Sequence, residues 1–350
     1  MSAPVRHLLF GTERYAVPIL RPLADAIALR GERVAWCLPG VDTPPAPAAE
    51  RLAHWREVRR YAPDSVLAAA NVVPPFFPGI KVQLFHGFSV DKRSHARGHF
   101  RVRGLFDLYC TQGPDTTEPF RALAERFGHF RVTETGWPKL DPMFRPDPTE
   151  LATLRAGAAG RAVVAFGSTF TESLSAAPVL LPELERLIAS GRWYWLLTLH
   201  PKCAPELQRR YRALAGPNAR FVESESLPLL LAAADVLVAD TSSIVSEFLC
   251  LERPVVTFRH RRPGPQHLEI DEPARLEPAL ESALARPEPL MGAVREYARR
   301  IHPSRDGHAS ARVLDAVAAF GAEGRRGLAR KPLNLLRRLQ LRLRYGGALA

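Results

Sequence analysis

The stretch DVLVADTSSIVSEFLCLERPVV, residues 235–256, decides the fold class. Its apolar run between Asp235 and Asp240 has the length and the continuous hydrophobicity of a strand that is buried on both faces. Ser242 and Ser243 then open a helical segment, and Pro254 leads into a second apolar run. A strand, a helix and a strand in this order are typical of a parallel sheet with crossover helices.

The same alternation extends in both directions and forms two series of predicted strands. The first series comprises residues 7–10, 34–38, 81–85, 105–110 and 130–135, and the second comprises residues 162–166, 193–199, 220–223, 236–239 and 255–258. A segment with four prolines, 138–148, separates them. The pattern predicts an α/β protein with two doubly wound parallel-sheet domains that face a central cleft. We predict an N-terminal domain at 1–145, a C-terminal domain at 159–320 and a basic tail at 321–350.

Composition restricts the classes of partner. The 350 residues are 46% hydrophobic and carry a net charge of +12, which excludes disorder or a coiled coil for the whole chain. Residues 321–350 contain eight basic residues and one acidic residue, so most of the excess charge lies in the tail. This distribution argues against a nucleic-acid groove. The dinucleotide and P-loop signatures GxGxxG and GxxxxGK[ST] are absent.

The cysteines and the hydropathy pattern indicate the cellular compartment of the protein. The four cysteines lie far apart without CxxC spacing, which favours a reduced compartment. The sequence has no apolar run of about 18 residues, the length that a membrane span needs. We therefore expect a cytoplasmic protein that is neither exported nor membrane-spanning.

The tail has the pattern of an interfacial helix. Between residues 332 and 345 one helical face carries Leu333, Leu335, Leu336, Leu339 and Leu343, the opposite face carries arginines, and Leu341 departs from this pattern. Such a helix is predicted to attach the protein peripherally to the anionic inner face of the cell membrane. The alternative is a helix that docks on the protein's own body or on a partner.

The turn after residues 236–239 is a candidate phosphate site. Ser242 and Ser243 place two hydroxyls and free N–H groups at the start of a helix, where the helix dipole favours an anion. The alternative is that Asp240, Thr241 or Ser242 only caps the helix.

Five short segments carry polar residues at the ends of predicted elements. They read His86-Gly87, Gly136-Trp137-Pro138-Lys139-Leu140-Asp141, His200-Pro201-Lys202, Asp240-Thr241-Ser242-Ser243 followed by Glu247, and Asp306-Gly307-His308-Ala309-Ser310-Ala311-Arg312. In this order they resemble the CDP-glycerol glycerophosphotransferase family, the teichoic-acid-type polymerases and primases, over roughly residues 80 to 320. The chain departs from the family pattern at Phe88-Ser89, where the family usually has Thr-Pro, and at residues 166–169, where a Pro-Thr segment is usual.

The resemblance implies a GT-B-like enzyme that transfers a polyol phosphate, above all glycerol phosphate. The resemblance further implies a CDP-activated donor, a hydroxyl of a cell-surface glycopolymer or of its lipid-linked precursor as the acceptor, and release of CMP. Such a transfer needs a base near the acceptor hydroxyl and positive charge around the pyrophosphate. The predicted catalytic residues are His86, as the base, and His200, beside the pyrophosphate. The predicted donor-binding residues are Lys202, Asp240, Ser242, Ser243, Glu247, Asp306, Ser310 and Arg312.

On the acceptor side the predicted residues are Lys92, Arg93, Gly136, Lys139 and Asp141. The first two lie in a basic segment, 91–103, which either receives an anionic acceptor or is a solvated surface loop. Three further alternatives stay open for single residues: His86 as a turn histidine, His200 as a strand-ending histidine, and Arg312 as a surface arginine paired with Asp306 or Asp315. For Asp240, orienting the turn or a donor hydroxyl is favoured over proton transfer.

Two other functions share these features. A nucleotide-sugar glycosyltransferase or a UDP-sugar 2-epimerase has two similar halves and a serine-rich phosphate turn. A membrane-associated protein that binds nucleotides without turnover is the alternative from another class. We predict no tightly bound cofactor, no metal site and no nucleic-acid partner, while a need for Mg²⁺ at the pyrophosphate stays open.

Overall fold

The computed structural model describes residues 4–41, 50–88 and 98–346. By its internal contacts the chain forms two compact units: the first consists of Met1–Asp141 and Asp306–Ala350, and the second of Pro142–Arg305. Each unit contains a six-stranded sheet in which all neighbouring strands are parallel. The prediction of two doubly wound parallel-sheet domains is confirmed.

All six strands of the first sheet precede the second unit in the sequence. Its strands are β1 (Arg6–Phe10), β2 (Arg33–Cys37), β3 (Ser65–Ala68), β4 (Ile80–Leu84), β5 (Leu108–Thr111) and β6 (Arg131–Glu134). The helices of this part are α1 (Ala16–Leu29), α2 (Trp55–Tyr61) and α3 (Pro114–Phe127), and α4 (Asp141–Phe144) lies where the chain passes into the second unit. The order across the sheet is β2-β1-β3-β4-β5-β6.

The second sheet has the order β12-β11-β10-β7-β8-β9. Its strands are β7 (Val163–Ser168), β8 (Tyr194–Leu199), β9 (Ala219–Phe221), β10 (Val236–Ala239), β11 (Val255–Phe258) and β12 (His267–Ile270). The helices are α5 (Pro148–Arg155), α6 (Ala177–Ala189), α7 (Pro205–Ala213), α8 (Leu227–Ala233), α9 (Ile244–Leu249), α10 (Leu276–Ala285) and α11 (Glu288–Ile301). The chain then returns to the first unit through α12 (Ala309–Glu323) and α13 (Leu335–Tyr345).

Burial explains why the central strands are continuous apolar runs. Every residue of β7, β8, β10 and β11 is buried, so both faces of these strands are covered. The edge strands β6 and β9 are partly exposed. Two strands were absent from the prediction. β3 has only four residues and runs into two alanines, and β12 is an edge strand of mixed polarity.

The predicted domain boundaries differ from the observed division at the C-terminal end. We predicted the second domain at 159–320 and a separate tail at 321–350, but residues from Asp306 onward belong to the first unit. The physical reason is the buried face of α12, which includes Val313, Leu314 and Val317 and packs against α1, β4 and β5 of the first unit. The tail that follows is also part of this unit.

An acidic side chain at the start of β5 holds the tail. Asp107 is 7% exposed, and its Oδ1 lies 2.7 Å from Nζ of Lys331. The guanidinium of Arg325 also pairs with this carboxylate, and the backbone N–H of Lys81 donates to its Oδ2 at 2.9 Å. The segment before α13 is therefore fixed to the first sheet.

The helix α13 docks on the first unit through the side chains that lie off its leucine stripe. Leu341 is 6% exposed and belongs to the hydrophobic core, and the ring of Tyr345 contacts that of Phe10 with centroids 5.9 Å apart. The stripe stays exposed, with Leu335, Leu336, Leu339 and Leu343 each more than half accessible. Features of both hypotheses for the tail are thus present: α13 docks on the first unit, and its leucine stripe remains exposed. No helix within the described residues is long and apolar enough to span a bilayer.

We expect Leu341→Ala to lower the free energy of unfolding of the first unit by about 2–4 kcal/mol, because the smaller side chain leaves a cavity in a packed core. Leu339→Ala is the matched control, since its side chain is exposed, and it should change stability by less than about 0.5 kcal/mol. Urea denaturation followed by tryptophan fluorescence measures both values. Equal effects of the two substitutions would show that α13 is not docked through Leu341.

Candidate functional site

The strand order locates a ligand edge on the second sheet. From β7 the chain proceeds to β8 and β9 on one side and then to β10 and β11 on the other, so the direction of winding reverses between β7 and β10. In open parallel sheets ligands bind outside the carboxyl ends of the strands at this switch point. At this edge β7 ends with Ser168, and His200 and Asp240 directly follow β8 and β10.

Asp240 is completely buried and connects two of these segments. Its carboxylate accepts hydrogen bonds from the Ser168 hydroxyl, from the Thr169 N–H at 3.0 Å and from the Ala176 N–H at 2.9 Å. Burial raises the pKa of Asp240, and these hydrogen bonds partly counteract the rise. The residue therefore holds the loop 168–176 in place. The contacts of Asp240 describe the orienting role that the sequence favoured for it, and direct binding of the donor by this buried carboxylate stays a prediction.

A hydrogen bond within its own turn defines the tautomer of the His200 imidazole. The Lys202 N–H donates to Nδ1 of His200 at 3.1 Å, which leaves the proton of a neutral imidazole on Nε2. Loss of surrounding water lowers the pKa of His200, and the charge of Lys202 lowers it further. The ring of His200 also contacts that of Phe170, with centroids 4.4 Å apart. At neutral pH His200 is thus a neutral hydrogen-bond donor at the end of β8.

The predicted serine turn lies where the sequence placed it. Ser242 is half-buried and Ser243 is exposed, and α9 begins at the next residue. Glu247, by contrast, is 3% exposed on the inner side of α9. A carboxylate in this position does not face the solvent at the turn, and contact of Glu247 with the donor stays a prediction.

The carboxyl edge of the first sheet surrounds His86, which follows β4. The ring of His86 stacks on that of Tyr15, with centroids 5.1 Å apart, and Tyr15 follows β1. The Gln112 amide donates to the Gly87 carbonyl at 3.3 Å, and Nε1 of Trp137 donates to the Phe85 carbonyl at 2.6 Å. Residues after β5 and β6 therefore fix the turn that carries the histidine.

His86 has the properties of a base at neutral pH. The side chain is exposed, although neighbouring protein atoms displace part of the water around its ring. This desolvation lowers the pKa of His86, and the positive charge of Arg103 lowers it further. An exposed neutral imidazole can accept a proton from a substrate hydroxyl.

Two predicted groups of residues meet at the start of α12. Asp141, from the predicted acceptor side, accepts hydrogen bonds from the Ala309 and Ser310 N–H groups at 2.9 and 2.8 Å, and so caps α12. Asp306 and Ser310 were predicted to bind the donor from the second domain, but they lie in the first unit. Burial raises the pKa of Asp141, while its hydrogen bonds lower it.

Arg312 is also used within the first unit. Its Nε donates to the Thr135 carbonyl at 2.8 Å, and its guanidinium pairs with Asp306 at 2.8 Å. The pairing with Asp306 is the alternative that the sequence left open for this arginine. Nearby, Lys139 places its ammonium 5.2 Å from the centre of the Trp137 ring, and Gly136 has a φ of 78°, which a side chain would disfavour. Lys92 and Arg93 lie outside the described residues.

Sequence reasoning missed several polar residues at these edges. Tyr15 and Gln112 follow β1 and β5, as His86 follows β4, and this position after a strand is the signal that would have identified them. The four basic residues of 259–262 directly follow β11 in the same way. Within residues 4–41, 50–88 and 98–346, no group of three or more His, Cys, Asp or Glu side chains is placed to hold a metal ion.

Two parallel sheets with polar residues at their carboxyl edges define the GT-B-like class. Solved structures with a similar fold support this assignment. The wall teichoic acid polymerase TagF has a TM-score of 0.68 at 17% identity, over 91% of this chain and 89% of that one. MnaA of S. aureus, solved with UDP, has a TM-score of 0.63 at 15% identity, over 91% and 97% of the two chains. A UDP-GlcNAc 2-epimerase from Neisseria meningitidis, bound to UDP-GlcNAc, has a TM-score of 0.61 at 13% identity, over 90% of this chain and 99% of that one. At these identities the similarity shows a shared fold.

A family model matches the middle of the sequence. Residues 92–261 match the model of the CDP-Glycerol:Poly(glycerophosphate) glycerophosphotransferases. The resemblance stated from the five segments is confirmed, and the chain is a CDP-glycerol glycerophosphotransferase-like transferase. No curated protein sequence matches the chain.

We expect Asp240→Asn to lower the free energy of unfolding of the second unit by roughly 2–3 kcal/mol, because an amide cannot accept all the hydrogen bonds that converge on the carboxylate. Asp271→Asn removes an exposed carboxylate of the same unit and serves as the control. Thermal and urea denaturation measure the difference. A stability of Asp240→Asn equal to that of the control would show that the loop 168–176 does not depend on this carboxylate.

Proposed function

We propose that this protein transfers glycerol phosphate from CDP-glycerol to a hydroxyl of a teichoic-acid-type glycopolymer or of its lipid-linked precursor, with release of CMP. The observation that carries the proposal is the family match over residues 92–261, which includes the whole switch-point edge with His200, Ser242 and Ser243. The likeness in fold to a wall teichoic acid polymerase supports the same reaction class. The second unit binds the donor in this proposal, and the first unit supplies the base.

The chemistry assigns a separate task to each histidine. The acceptor hydroxyl oxygen attacks the phosphorus of the glycerol phosphate group and passes its proton to His86. The bond from this phosphorus to the bridging oxygen breaks, and that oxygen leaves with CMP. The negative charge that develops on CMP is met by the Nε2–H of His200 and by Lys202, which supply a hydrogen bond and a positive charge at the end of β8.

The first experiment measures CMP release from CDP-glycerol by the full chain, with a detergent-solubilised lipid-linked acceptor. We expect His86→Ala and His200→Ala each to lower the rate by about 100-fold or more, since each removes a group that acts in the transition state. His54→Asn is the control, because His54 is an exposed histidine of the first unit that caps α2 and asparagine keeps a capping group. Reactions with Mg²⁺ and with a chelator test the metal requirement.

The pH profile adds a readout that a structural role of His86 would not change. Because the pKa of His86 is lowered, kcat/KM should stay high until the pH falls below about 6.5, and the acid limb should disappear in His86→Ala. Consumption of a UDP-sugar without consumption of CDP-glycerol would contradict the proposal and favour the glycosyltransferase or epimerase alternative. Binding of CDP without release of CMP would favour the non-catalytic alternative.

We also propose that α13 attaches the enzyme peripherally to the anionic inner face of the cell membrane, where a lipid-linked acceptor is present. The leucine stripe of α13 is exposed, and four arginines of the same helix lie beside it: Arg337, Arg338, Arg342 and Arg344. Docking through Leu341 supports this role, because it fixes the helix while its apolar stripe points away from the core. Each basic residue near an anionic surface contributes roughly 1 kcal/mol.

Vesicle sedimentation tests the attachment. We expect the full chain to bind phosphatidylglycerol vesicles, to bind phosphatidylcholine vesicles at least about tenfold more weakly, and to dissociate in high salt. Serine at positions 335, 336, 339 and 343 together should abolish binding. Leu29→Ser is the control, since Leu29 is an exposed leucine, 90% accessible, on α1. Unchanged binding of the fourfold variant would exclude α13 as the attachment site.

A further inference from the structure

The loop after β11 carries four consecutive basic residues that no part of the proposed mechanism uses. They are Arg259, His260, Arg261 and Arg262. The strand β11 pairs in parallel with β10, and Thr257 is the partner of Ala239. The loop therefore leaves the sheet beside the turn that contains Ser242 and Ser243.

The first two basic residues are held by the fold. Arg259 has a φ of 48°, its N–H donates to the Ile270 carbonyl at 2.9 Å, and its Nε donates to the Asp271 carbonyl at 2.9 Å. The His260 N–H donates to the Glu269 carboxylate at 2.6 Å. Such contacts hold a left-handed residue that is not glycine, so the loop has a defined conformation.

Arg261 is attached to the neighbouring turn and displays its side chain. Its N–H donates to Oγ1 of Thr241 at 3.0 Å, and Thr241 directly precedes Ser242. Arg261 is exposed, and its guanidinium makes no hydrogen bond or ion pair with the residues that the structure describes. A long cationic side chain is thus fixed by its backbone next to the two serines.

The charges along this edge complement an extended anion. Lys202 follows β8 and Arg261 follows β11, so the two cations stand on opposite sides of the β7–β10 switch point. Between them the serine turn offers neutral donors, and the carboxylate of Asp240 is buried beneath the turn. A guanidinium presents several N–H groups in a plane that matches phosphate oxygens, which an ammonium does not.

We infer that Arg261 binds the diphosphate of a nucleoside diphosphate donor and makes this site prefer a diphosphate to a monophosphate. The inference rests on the proposed function and names a residue of its donor site. Once transfer has taken place, the product retains a single phosphate and loses a contact with Arg261. The residue therefore favours binding of the donor and release of the product.

Isothermal titration calorimetry of the full chain with CDP and with CMP tests this assignment. In Arg261→Gln the Kd for CDP should rise about tenfold, while the Kd for CMP should change by less than about twofold. Arg220→Gln is the matched control, because Arg220 is an exposed arginine of the same unit on the far edge strand β9. Arg261→Lys, which keeps the charge but not the planar group, should fall between the wild type and Arg261→Gln. Thermal denaturation shows that each variant is folded.

The outcomes separate this inference from the proposed function. If the wild type binds CDP and Arg261→Gln binds it equally well, the inference is wrong while the proposed function stands. An equal loss of affinity for CDP and CMP would also overturn the inference, because the contact would then lie at the phosphate that both ligands share. If the wild type binds no CDP, both the inference and the proposed function are wrong.

Discussion

The second unit depends on one buried carboxylate. Asp240 directly follows β10, and the hydroxyl and N–H groups that it accepts from lie at the end of β7 and on the loop between β7 and α6. A buried carboxylate is stable only when hydrogen bonds replace the water that it loses. The fold provides them from the strand that lies across the switch point. As a result, the loops after β7 and β10 have one relative position, and Ser242 and Phe170 are placed by the same interaction.

The first unit uses a carboxylate in a comparable way, but across a much longer stretch of sequence. Asp141 caps α12, which begins 168 residues further along the chain. Capping at this distance means that the last helices are built on the sheet formed by the first 140 residues. It also explains why the Asp306 to Arg312 segment is found beside Thr135, within the first unit. The five segments that carry the family resemblance are thus divided between two units.

The sequence predicted the sheets well because parallel strands are buried on both faces and therefore stand out as continuous apolar runs. The site edges followed from the same pattern, since polar residues such as His86, His200 and Ser242 come directly after those runs. Other features had no local signal. The amphipathic pattern of α12 shows which face is buried but not which sheet covers it, and the inward orientation of Glu247 depends on packing around α9. Leu341 departed from the leucine stripe because it serves a different contact, with the core of its own unit.

The return of the chain to the first unit has a consequence for the order of folding during synthesis. The second unit is one continuous segment, Pro142–Arg305, so all of its strands are synthesised before α12. The first sheet, although translated earlier, lacks two of its covering helices until the last residues emerge. Domains generally fold as units as they are synthesised. The unit that begins the chain is therefore the last to be completed, and until then the apolar surface that α12 and Leu341 cover is open to the solvent or to a chaperone.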